Sequence, residues 1–556
     1  MKHFLPLPIY IVAFGCLLAT PLRAQAQERY GNPFDFPVLF SGNFGELRSN
    51  HFHGGLDFKT QGTTGKAVRA SADGQITGIR VTHGSGYVLE VAYAHGYTAV
   101  YRHLSAFAGE IARRMEELQY STQSWEATLT PAAGEYPVRR GEVIGYSGNT
   151  GYSFGPHLHF DLIETASGDY VDPLPFFQGL VKDSTAPRAE GFRLYPQPGL
   201  GVVNGLPDVQ TFGVRTDGTI TAWGLIGAGV RAFDYMEGAR NRYGVHTVVL
   251  SVDSQEVFRS TVDRFASNEN RQINSWNDHG YMKSFIDAGN RLRLLHAPGR
   301  QRGLVCIDEE RPYRFVYTLR DALGNTARLQ FTVQGVRTDT LPPVRHPERY
   351  TFRWNRVNVL HEPGLSVVVP RGNLYKDEYL HYALLADSGD IACVYRLNDV
   401  RIPLESTAEV SLALRRRPVA DTTKYYLAGV GSRGKRYSLG GRLHGQSGIL
   451  KGTIRELGTL TAAIDTVPPS ITPVHPNRWA RSGAIVYRLE DDETGIRSYR
   501  GTIDGEYALF GIPNAVQGRL VYRIDPRRIA RGRHIVEITA TDGCGNTTVL
   551  TTPFVY

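Results

Sequence analysis

Residues 155–161 of this chain read GPHLHFD. In a β-strand alternate side chains point to the same face, so His157 and His159 would share one face and the apolar residues between them the other. The preceding GNTG at 148–151 is typical of a loop. The stretch therefore predicts a strand that follows a loop and carries two imidazoles on one face.

Two further segments upstream contain candidate functional side chains. Residues 51–58 read HFHGGLDF, and the Gly-Gly pair argues against a helix there. His53 and Asp57 are an even number of residues apart, so on extended backbone they would face the same way. The other segment, YRHLS at 101–105, contains His103 and follows the strand-like run YVLEVAY at 87–93.

These segments together suit a catalytic metal site. A catalytic zinc ion takes about three protein ligands and keeps an open position for water or substrate. Two His and one Asp supply three ligands, and two more His remain for proton transfer and charge stabilisation. With 17 His in the chain, each short motif alone is a weak signal, but all three in one stretch of about 110 residues are a specific one.

The stretch resembles the LytM/lysostaphin-type zinc metallo-endopeptidases, also described as peptidoglycan DD-metalloendopeptidases. The family pattern is His-x-x-x-Asp, then a lone His in a Tyr-x-His-Leu context, then His-Leu-His, and all three occur here in order. The resemblance also includes GEVIGYSGNTG at 141–151 and covers roughly residues 40–165.

The resemblance implies a role for each matching position. His53, Asp57 and His159 would bind one zinc ion, and His157 and His103 would be catalytic. It also implies a mostly antiparallel β-fold, similar to a duplicated hybrid motif, with a narrow groove. The substrate that it implies is the peptide part of peptidoglycan.

Two features depart from the simpler family members. His51 adds an imidazole, which we expect to be a surface residue outside the ligand set. The stretch 106–138 is longer than the connection expected after the His103 motif. Within it Ile111, Met115 and Leu118 follow an i, i+4, i+7 spacing, which predicts a short amphipathic helix.

The whole chain is predicted to be all-β and to contain several domains. Its 556 residues are more than one hydrophobic core usually supports, and its 60 Gly separate runs rich in Val, Thr and Tyr. Pro-containing segments at 183–187, 338–343 and 465–469 are predicted linkers. The predicted units are a metallopeptidase unit at 27–183, an immunoglobulin-like β-sandwich at 184–337, a β-sandwich-like unit at 338–464 and an immunoglobulin-like β-sandwich at 465–556.

An internal echo links the second and fourth units. RDALGNT at 320–326 and TDGCGNT at 541–547 each follow a strand-like run and precede another. Asp and Asn bond to turn backbone and Gly accepts positive φ, so each predicts a hairpin near the end of a unit. We expect the Asp residues to form these turns rather than to bind calcium.

The N-terminus predicts export. Residues 1–26 have a short basic start, an apolar stretch and a small-x-small cleavage site, so we place the mature start near Gln27. The alternative is a lipoprotein box ending at Cys16. Removing residues 1–26 removes two cations and no acid, which changes the formal net charge from +8 to +6. We expect a periplasmic, cell-envelope or secreted protein with no transmembrane helix and no nucleic-acid partner.

Three cysteines remain after that cleavage: Cys306, Cys393 and Cys544. They are odd in number and widely spaced, so they do not form a disulfide framework, although one disulfide among them stays open. We expect each to be a small buried hydrophobe.

The leading functional hypothesis is an exported zinc endopeptidase that acts on peptidoglycan stem peptides or cross-bridges. The alternatives are a non-catalytic regulator of other wall hydrolases and a zinc protease of ordinary proteins. The segment 184–556 lacks a clustered catalytic set in the sequence, so its β-sandwiches are candidates for positioning the enzyme or contacting cell-envelope proteins. We also expect residues 27–183 to fold alone.

Overall fold

The computed structural model describes residues 29–215, 218–343, 349–386, 391–445 and 447–556. The predicted signal segment 1–26 and Cys16 lie outside the described residues. Strands dominate the described chain and helices are few and short, which confirms the all-β fold class. Each of the four predicted units contains a large hydrophobic core, while the unit boundaries remain predictions.

The first unit is built on one large sheet, a small three-stranded sheet and a short two-stranded pair. Its strands are β1 Phe40–Gly42, β2 Leu47–Arg48, β3 His51–Phe52, β4 Gly55–Lys59, β5 Ala67–Arg69, β6 Gly74–Thr82, β7 Gly86–Tyr93, β8 Tyr97–Leu104, β9 Ala106–Phe107, β10 Ala127–Leu129, β11 Pro137–Val138, β12 Val143–Tyr146, β13 His157–Glu164 and β14 Asp169–Val171. Its helices are α1 Gly109–Ser121 and a 3-10 helix at Leu174–Phe177.

The large sheet places the three sequence motifs side by side. Its strand order is β1-β4-β13-β8-β7-β6-β10, so the strand with the two imidazoles lies between the strand with Asp57 and the strand with His103. Leu158 and Phe160 are fully buried in the core, as the alternation predicted. The opposite face of the same strand therefore carries the imidazoles.

The predicted amphipathic helix in the 106–138 insertion is confirmed as α1. Ile111 and Met115 are buried on its inner face. The third buried residue is Gln119, whose side-chain amide donates to the carbonyl of Trp125, whereas Leu118 is half-buried. A polar side chain thus takes part of the inner face because a local carbonyl satisfies it.

The second unit contains an eleven-stranded sheet. The unit has twelve strands, and all except β20 belong to this sheet. They are β15 Arg188–Val203, β16 Gln210–Gly213, β17 Ile220–Phe233, β18 Thr247–Val252, β19 Gln255–Thr261, β20 Arg264–Ala266, β21 Asn277–Asp278, β22 Tyr281–Lys283, β23 Leu295–His296, β24 Val305–Ile307, β25 Pro312–Arg320 and β26 Thr326–Gly335. A 3-10 helix at Ser267–Gln272 leads into α2, Ile273–Trp276.

The first two units share both a sheet and a core. β14 pairs with β20, so the large sheet of the first unit continues into the second. Phe44 and Phe52 are buried in the core of the second unit, and Phe44 stacks on Phe265 with ring centroids 5.1 Å apart. These contacts argue against independent folding of residues 27–183, because cutting there would expose both rings.

The third unit is a sandwich of two five-stranded sheets with a two-stranded pair beside them. Its strands are β27 Tyr350–Phe352, β28 Asn358–Glu362, β29 Leu365–Val369, β30 Glu378–Leu380, β31 Ala383–Ala386, β32 Val394–Arg396, β33 Ile402–Ala413, β34 Tyr425–Val430, β35 Arg436–Ser438, β36 Arg442–His444, β37 Ile449–Leu457 and β38 Thr459–Ile464. Short 3-10 helices lie at Thr422–Lys424 and Ser432–Gly434.

The fourth unit packs a three-stranded sheet on a four-stranded sheet. Its strands are β39 Ser470–Pro473, β40 Ala484–Glu490, β41 Ile496–Ile503, β42 Glu506–Tyr507, β43 Arg519–Arg523, β44 Arg533–Asp542 and β45 Thr547–Val555. Its helical turns are a 3-10 helix at Pro476–Arg478 and α3 Trp479–Ser482.

Both predicted hairpins are confirmed. β25 pairs with β26, and β44 pairs with β45. In each turn the Asp carboxylate accepts two backbone N–H bonds: Asp321 accepts from Leu323 and Asn325, and Asp542 accepts from residues at the same two offsets.

The cysteine expectation is correct for one residue and wrong for another. Cys544 is buried and Cys393 half-buried, but Cys306 is exposed on β24. Cys306 lies between two inward-facing residues of an edge strand, so the alternation turns it to solvent. All three thiols are free in the structure.

Across the described ranges, no helix has the length and apolar character needed to span a membrane.

Candidate metal centre

Three side chains converge on one point: Asp57 on β4, His159 on the adjacent β13, and His53 in the link between β3 and β4. The Nε2 atom of His53 lies 3.0 Å from Oδ1 of Asp57 and 3.1 Å from Nδ1 of His159. The same Oδ1 atom lies 2.8 Å from Nδ1 of His159. Register explains the convergence, because His159 on β13 stands directly opposite Asp57 on β4. The predicted ligand set is thus brought together.

This donor set fits a tetrahedral cation. Two ligands of a zinc ion with bonds of 2.0–2.1 Å are about 3.3 Å apart, close to the separations found here. Two imidazole nitrogens and one carboxylate oxygen are ligand types that zinc accepts. The partly exposed edge of the cluster leaves room for a further ligand, since the side chains of His157 and His159 keep 16% and 12% of their surface in contact with solvent.

Neighbouring carbonyl and carboxylate groups fix the orientation of each ligand ring. Nδ1 of His53 donates to the carbonyl of Asn43 at 2.6 Å, which leaves Nε2 with its lone pair toward the cluster. Nε2 of His159 donates to Oδ1 of Asp161 at 2.6 Å, which leaves Nδ1 toward the cluster. Each imidazole therefore presents a defined nitrogen to a metal ion.

Asp161 and Arg102 support the site, although the sequence analysis gave them no role. Oδ2 of Asp161 accepts from Nε of Arg102 at 2.6 Å. Asp161 lies two residues after His159 on the same strand, so the period-two rule would have placed both on one face. That signal was available in the sequence and was overlooked.

The two remaining imidazoles face each other beside the cluster. The ring centroids of His103 and His157 are 4.9 Å apart, and Nε2 of His157 lies 3.6 Å from Oδ1 of Asp57. Nδ1 of His103 donates to the carbonyl of Thr150 at 2.7 Å, and Nδ1 of His157 donates to that of Gly155 at 2.9 Å. Both rings thus keep Nε2 available as a proton acceptor.

His103 occupies strained backbone. Its φ is +62°, which costs a residue with a Cβ about 1 kcal/mol or more. Its ring donates to the carbonyl of Thr150 and its backbone amide donates to the carbonyl of Ser85 at 3.2 Å. Strain of this kind is often found where a side chain must be aimed away from its regular strand direction.

Burial keeps these two imidazoles neutral. Burial, with the nearby His157 and His159 rings, lowers the pKa of His103 to about 3. Burial also lowers the pKa of His157. At neutral pH both rings therefore accept rather than donate a proton at Nε2.

The ligands behave differently in the absence of a cation. Burial lowers the pKa of His159, but Asp161 and Asp57 outweigh it and raise that pKa to about 9. Burial opposes the charge on Asp57, yet His53 and His159 hold the pKa of Asp57 well below its usual range. The carboxylates of Asp57 and Asp161 thus favour a positive charge at this point, which a metal ion would supply.

The five predicted site residues form one group in the structure. The structure brings His53, Asp57, His159, His103 and His157 together. His51 is exposed, and its Nδ1 bonds to the carbonyl of Ser49 at 2.9 Å, outside this group. The individual roles of the five residues remain predictions.

The fourth unit binds the loop whose Thr150 and Gly155 carbonyls orient His103 and His157. The side-chain amide of Asn514 donates to the carbonyls of Asn149 at 2.6 Å and Ser153 at 2.9 Å. The backbone of Gly151 exchanges hydrogen bonds with Pro513 and Ala515. Hydrogen bonds from the fourth unit therefore hold this loop at Asn149, Gly151 and Ser153.

The 106–138 insertion is the second contact surface for the fourth unit. Glu116 on α1 forms ion pairs with Arg527 and Arg528, each at 3.3 Å. The ring of Trp125 lies so close to Gly511 that a Cβ at that position would approach it to 2.2 Å. The insertion thus gives the fourth unit a second attachment to the first unit.

Two exposed aromatic rings lie on the loop that precedes β13. Phe154 is 92% exposed and Tyr152 is 63% exposed. Both lie within five residues of His157.

Proteins of known activity resemble part of this chain. It is 36% identical over 129 residues to the DD-carboxypeptidase/endopeptidase Mpg of Neisseria meningitidis serogroup B, which covers 23% of each chain. It is 31% identical over 133 residues to the glycyl-glycine endopeptidase ALE-1 of Staphylococcus capitis, covering 23% of this chain and 29% of that one. The chain thus spans about a quarter of the length of these curated relatives.

A solved catalytic domain of the peptidase lysostaphin from Staphylococcus simulans is 26% identical, covers 25% of this chain and 90% of that chain, and gives a TM-score of 0.19. The curated relatives, not this structural likeness, confirm the resemblance to lysostaphin-type metallo-endopeptidases. A family model described as a Zu5-like domain matches residues 349–465, which lie almost wholly within the third predicted unit.

Proposed function

We propose that this chain is an exported zinc-dependent endopeptidase that hydrolyses the peptide cross-links of bacterial peptidoglycan. One observation carries the proposal: two neutral imidazoles, His103 and His157, stand beside a three-residue ligand cluster and keep Nε2 free. The names of the relatives, which are carboxypeptidases and endopeptidases, support the reaction class.

His53, Asp57 and His159 would hold one zinc ion. When bound, zinc supplies Lewis-acid polarisation and lowers the pKa of a coordinated water. Asp161 and Arg102 keep His159 in the tautomer that presents Nδ1, and the Asn43 carbonyl does the same for Nε2 of His53. The chain's own contribution is a set of ligand rings whose orientation is fixed before the ion arrives.

His157 and His103 would handle the protons. Nε2 of one or both rings would accept the proton that the attacking water loses, and that same proton would then pass to the leaving amine, where it stabilises the charge that develops as the bond breaks. Their Nδ1 bonds to backbone carbonyls strengthen when the rings become positive. The presence of all five side chains in one cluster favours an enzyme over a non-catalytic regulator.

The reaction is tested with purified mature protein on isolated sacculi and on casein, with products identified by mass spectrometry. We expect released peptides with newly formed amino groups from sacculi and none from casein. Chelation should abolish release, and added zinc should restore it. Full activity in a metal-free preparation would contradict the zinc proposal, and cleavage of casein alone would favour the protease alternative.

Export rests on the sequence of residues 1–26. Intact-mass analysis of the protein from a native cell envelope should show a chain beginning near Gln27. A mass that includes residues 1–26, or a lipid on Cys16, would overturn simple cleavage.

A further inference from the structure

Three aspartates meet where the first unit joins the second. Asp183 comes from the linker after the first unit, Asp234 follows the end of β17, and Asp321 opens the turn between β25 and β26. One carboxylate oxygen of each lies within 4.8 Å of the other two. Among the described residues, no ion pair with Lys, Arg or His involves these three carboxylates.

Two oxygens of this cluster lack hydrogen-bond partners although they are buried. They are Oδ1 of Asp234 and Oδ2 of Asp183. Asp234 is only 1% exposed and Asp321 only 3%. An unpartnered buried carboxylate oxygen is costly, and like charges close together add to that cost. A positively charged group between the three carboxylates would offset this cost.

The remaining contacts hold the carboxylates in place. Oδ1 of Asp321 accepts the amides of Leu323 and Asn325, and its Oδ2 accepts from the side chain of Asn325. That side chain also donates to the carbonyl of Asp183 at 3.2 Å. Oδ1 of Asp183 accepts the amide of Thr185, so the unpartnered oxygen of this carboxylate is Oδ2.

We propose that Asp183, Asp234 and Asp321 form a calcium site. The donors are all oxygens, which suit a hard cation and not zinc, whose preferred partners are nitrogen and sulfur. Calcium accepts irregular carboxylate sets, whereas magnesium demands near-ideal octahedral geometry. Asp321 would then both form its turn and bind calcium, contrary to the expectation from the sequence that it forms the turn only.

The equivalent cluster of the fourth unit is a built-in comparison. Asp465, Asp491 and Asp542 also lie within 4.8 Å of one another. Here the amides of Thr494 and Gly495 donate to Asp491, and the hydroxyl of Thr494 donates to Asp465. No carboxylate oxygen of this second cluster is buried without a partner among the described residues, so the proposal does not extend to it.

The position of the site gives calcium a structural role. Ala322 and Leu323, next to Asp321, pack against the core of the first unit. Met236, two residues after Asp234, is buried in that same core. A cation that joins Asp183 to the other two carboxylates would lock the linker and both units into one arrangement.

The test uses the full mature protein in buffer freed of divalent ions by a chelating resin, with zinc then supplied at a fixed level. Calcium chloride is titrated in by calorimetry, and thermal unfolding is followed with and without calcium, with magnesium chloride as the comparison salt. The variants are Asp234→Asn and Asp183→Asn, which keep the shape of the side chains. Asp491→Asn is the matched control.

We expect one calcium ion per chain and a rise in Tm of about 5 °C or more at saturation. Both cluster variants should lose the response, and Asp491→Asn should keep it. No heat and no Tm change with calcium would overturn the proposal, because a shared proton would then neutralise the cluster. An unchanged response in Asp234→Asn, or its loss only in Asp491→Asn, would overturn it as well.

Discussion

Oδ1 of Asp161 accepts a hydrogen bond from Nε2 of His159 at 2.6 Å; the Asp161 side chain is buried and that of His159 is 12% exposed. The contact decides which nitrogen of His159 faces the candidate metal centre. Burial opposes the charge on Asp161, but His159 and Arg102 outweigh it and lower the pKa of that carboxyl. The group that accepts the hydrogen bond of His159 is thus a charged carboxylate.

Asp161→Asn should weaken zinc binding about 10- to 100-fold, because an amide no longer fixes the ring tautomer as a carboxylate does. Zinc affinity is measured by competition with a chromophoric chelator. Asp169→Asn, a buried Asp on the next strand that pairs with Arg293, is the matched control and should keep wild-type affinity. Equal affinity of Asp161→Asn and wild type would show that the contact does not orient His159.

His159→Ala and His103→Ala should separate metal binding from chemistry. His159→Ala removes a ligand and should lose zinc. His103→Ala should keep zinc but lose about 10²–10⁴ in turnover, since it removes a proton-transfer or charge-stabilising group. Metal analysis of both purified variants beside the activity assay decides the roles. Loss of zinc in His103→Ala to the same extent would contradict the assignment.

Asn514→Ala should lower kcat on the order of 10-fold without loss of zinc. Its amide holds the carbonyls of Asn149 and Ser153, and the loop between them supplies the carbonyl that aims His103. Glu537→Ala, exposed on β44 of the same unit, is the control and should be silent. A change in KM alone, with kcat intact, would mean that the fourth unit binds substrate rather than positions the loop.

Asp172 should make the stability of the junction depend on pH. Burial, with Asp263 nearby, raises the pKa of Asp172 to about 7, so between about pH 4 and 7 the folded chain binds a proton that the unfolded chain releases. Its contribution to the free energy of unfolding therefore falls as pH rises through that window. Asp172→Asn should lose less Tm than wild type between pH 5 and 8, while the exposed Asp35→Asn should follow wild type. Parallel curves for all three proteins would contradict this.

Residues 27–337 should fold where residues 27–183 do not. The shorter fragment exposes Phe44 and Phe52 and leaves β14 without β20, whereas the longer one keeps these contacts. Circular dichroism melting and soluble yield compare the two fragments. A cooperative transition in residues 27–183 would show that the shared core is dispensable and that the earlier expectation of independent folding was right.

Much of the fold could be predicted from local sequence. The alternation around His157 and His159 placed both imidazoles on one face, because strand geometry depends only on neighbouring residues. The spacing of Ile111 and Met115 predicted α1 for the same reason. The Asp-x-x-Gly-Asn turns form from contacts within five residues, so the hairpins also followed directly.

The wider arrangement needed the tertiary structure. The pairing of His159 with Asp57 joins residues 102 positions apart, and the bond from Asn514 to Asn149 joins residues 365 positions apart. The burial of Phe44 in the second core and the meeting of Asp183 with Asp234 and Asp321 are likewise long-range contacts. The sequence by itself determined which side chains could act and which face each strand would show. Only the tertiary structure decided which of them meet, because strand register and packing between units depend on the free energy of the whole assembled chain rather than on any one segment.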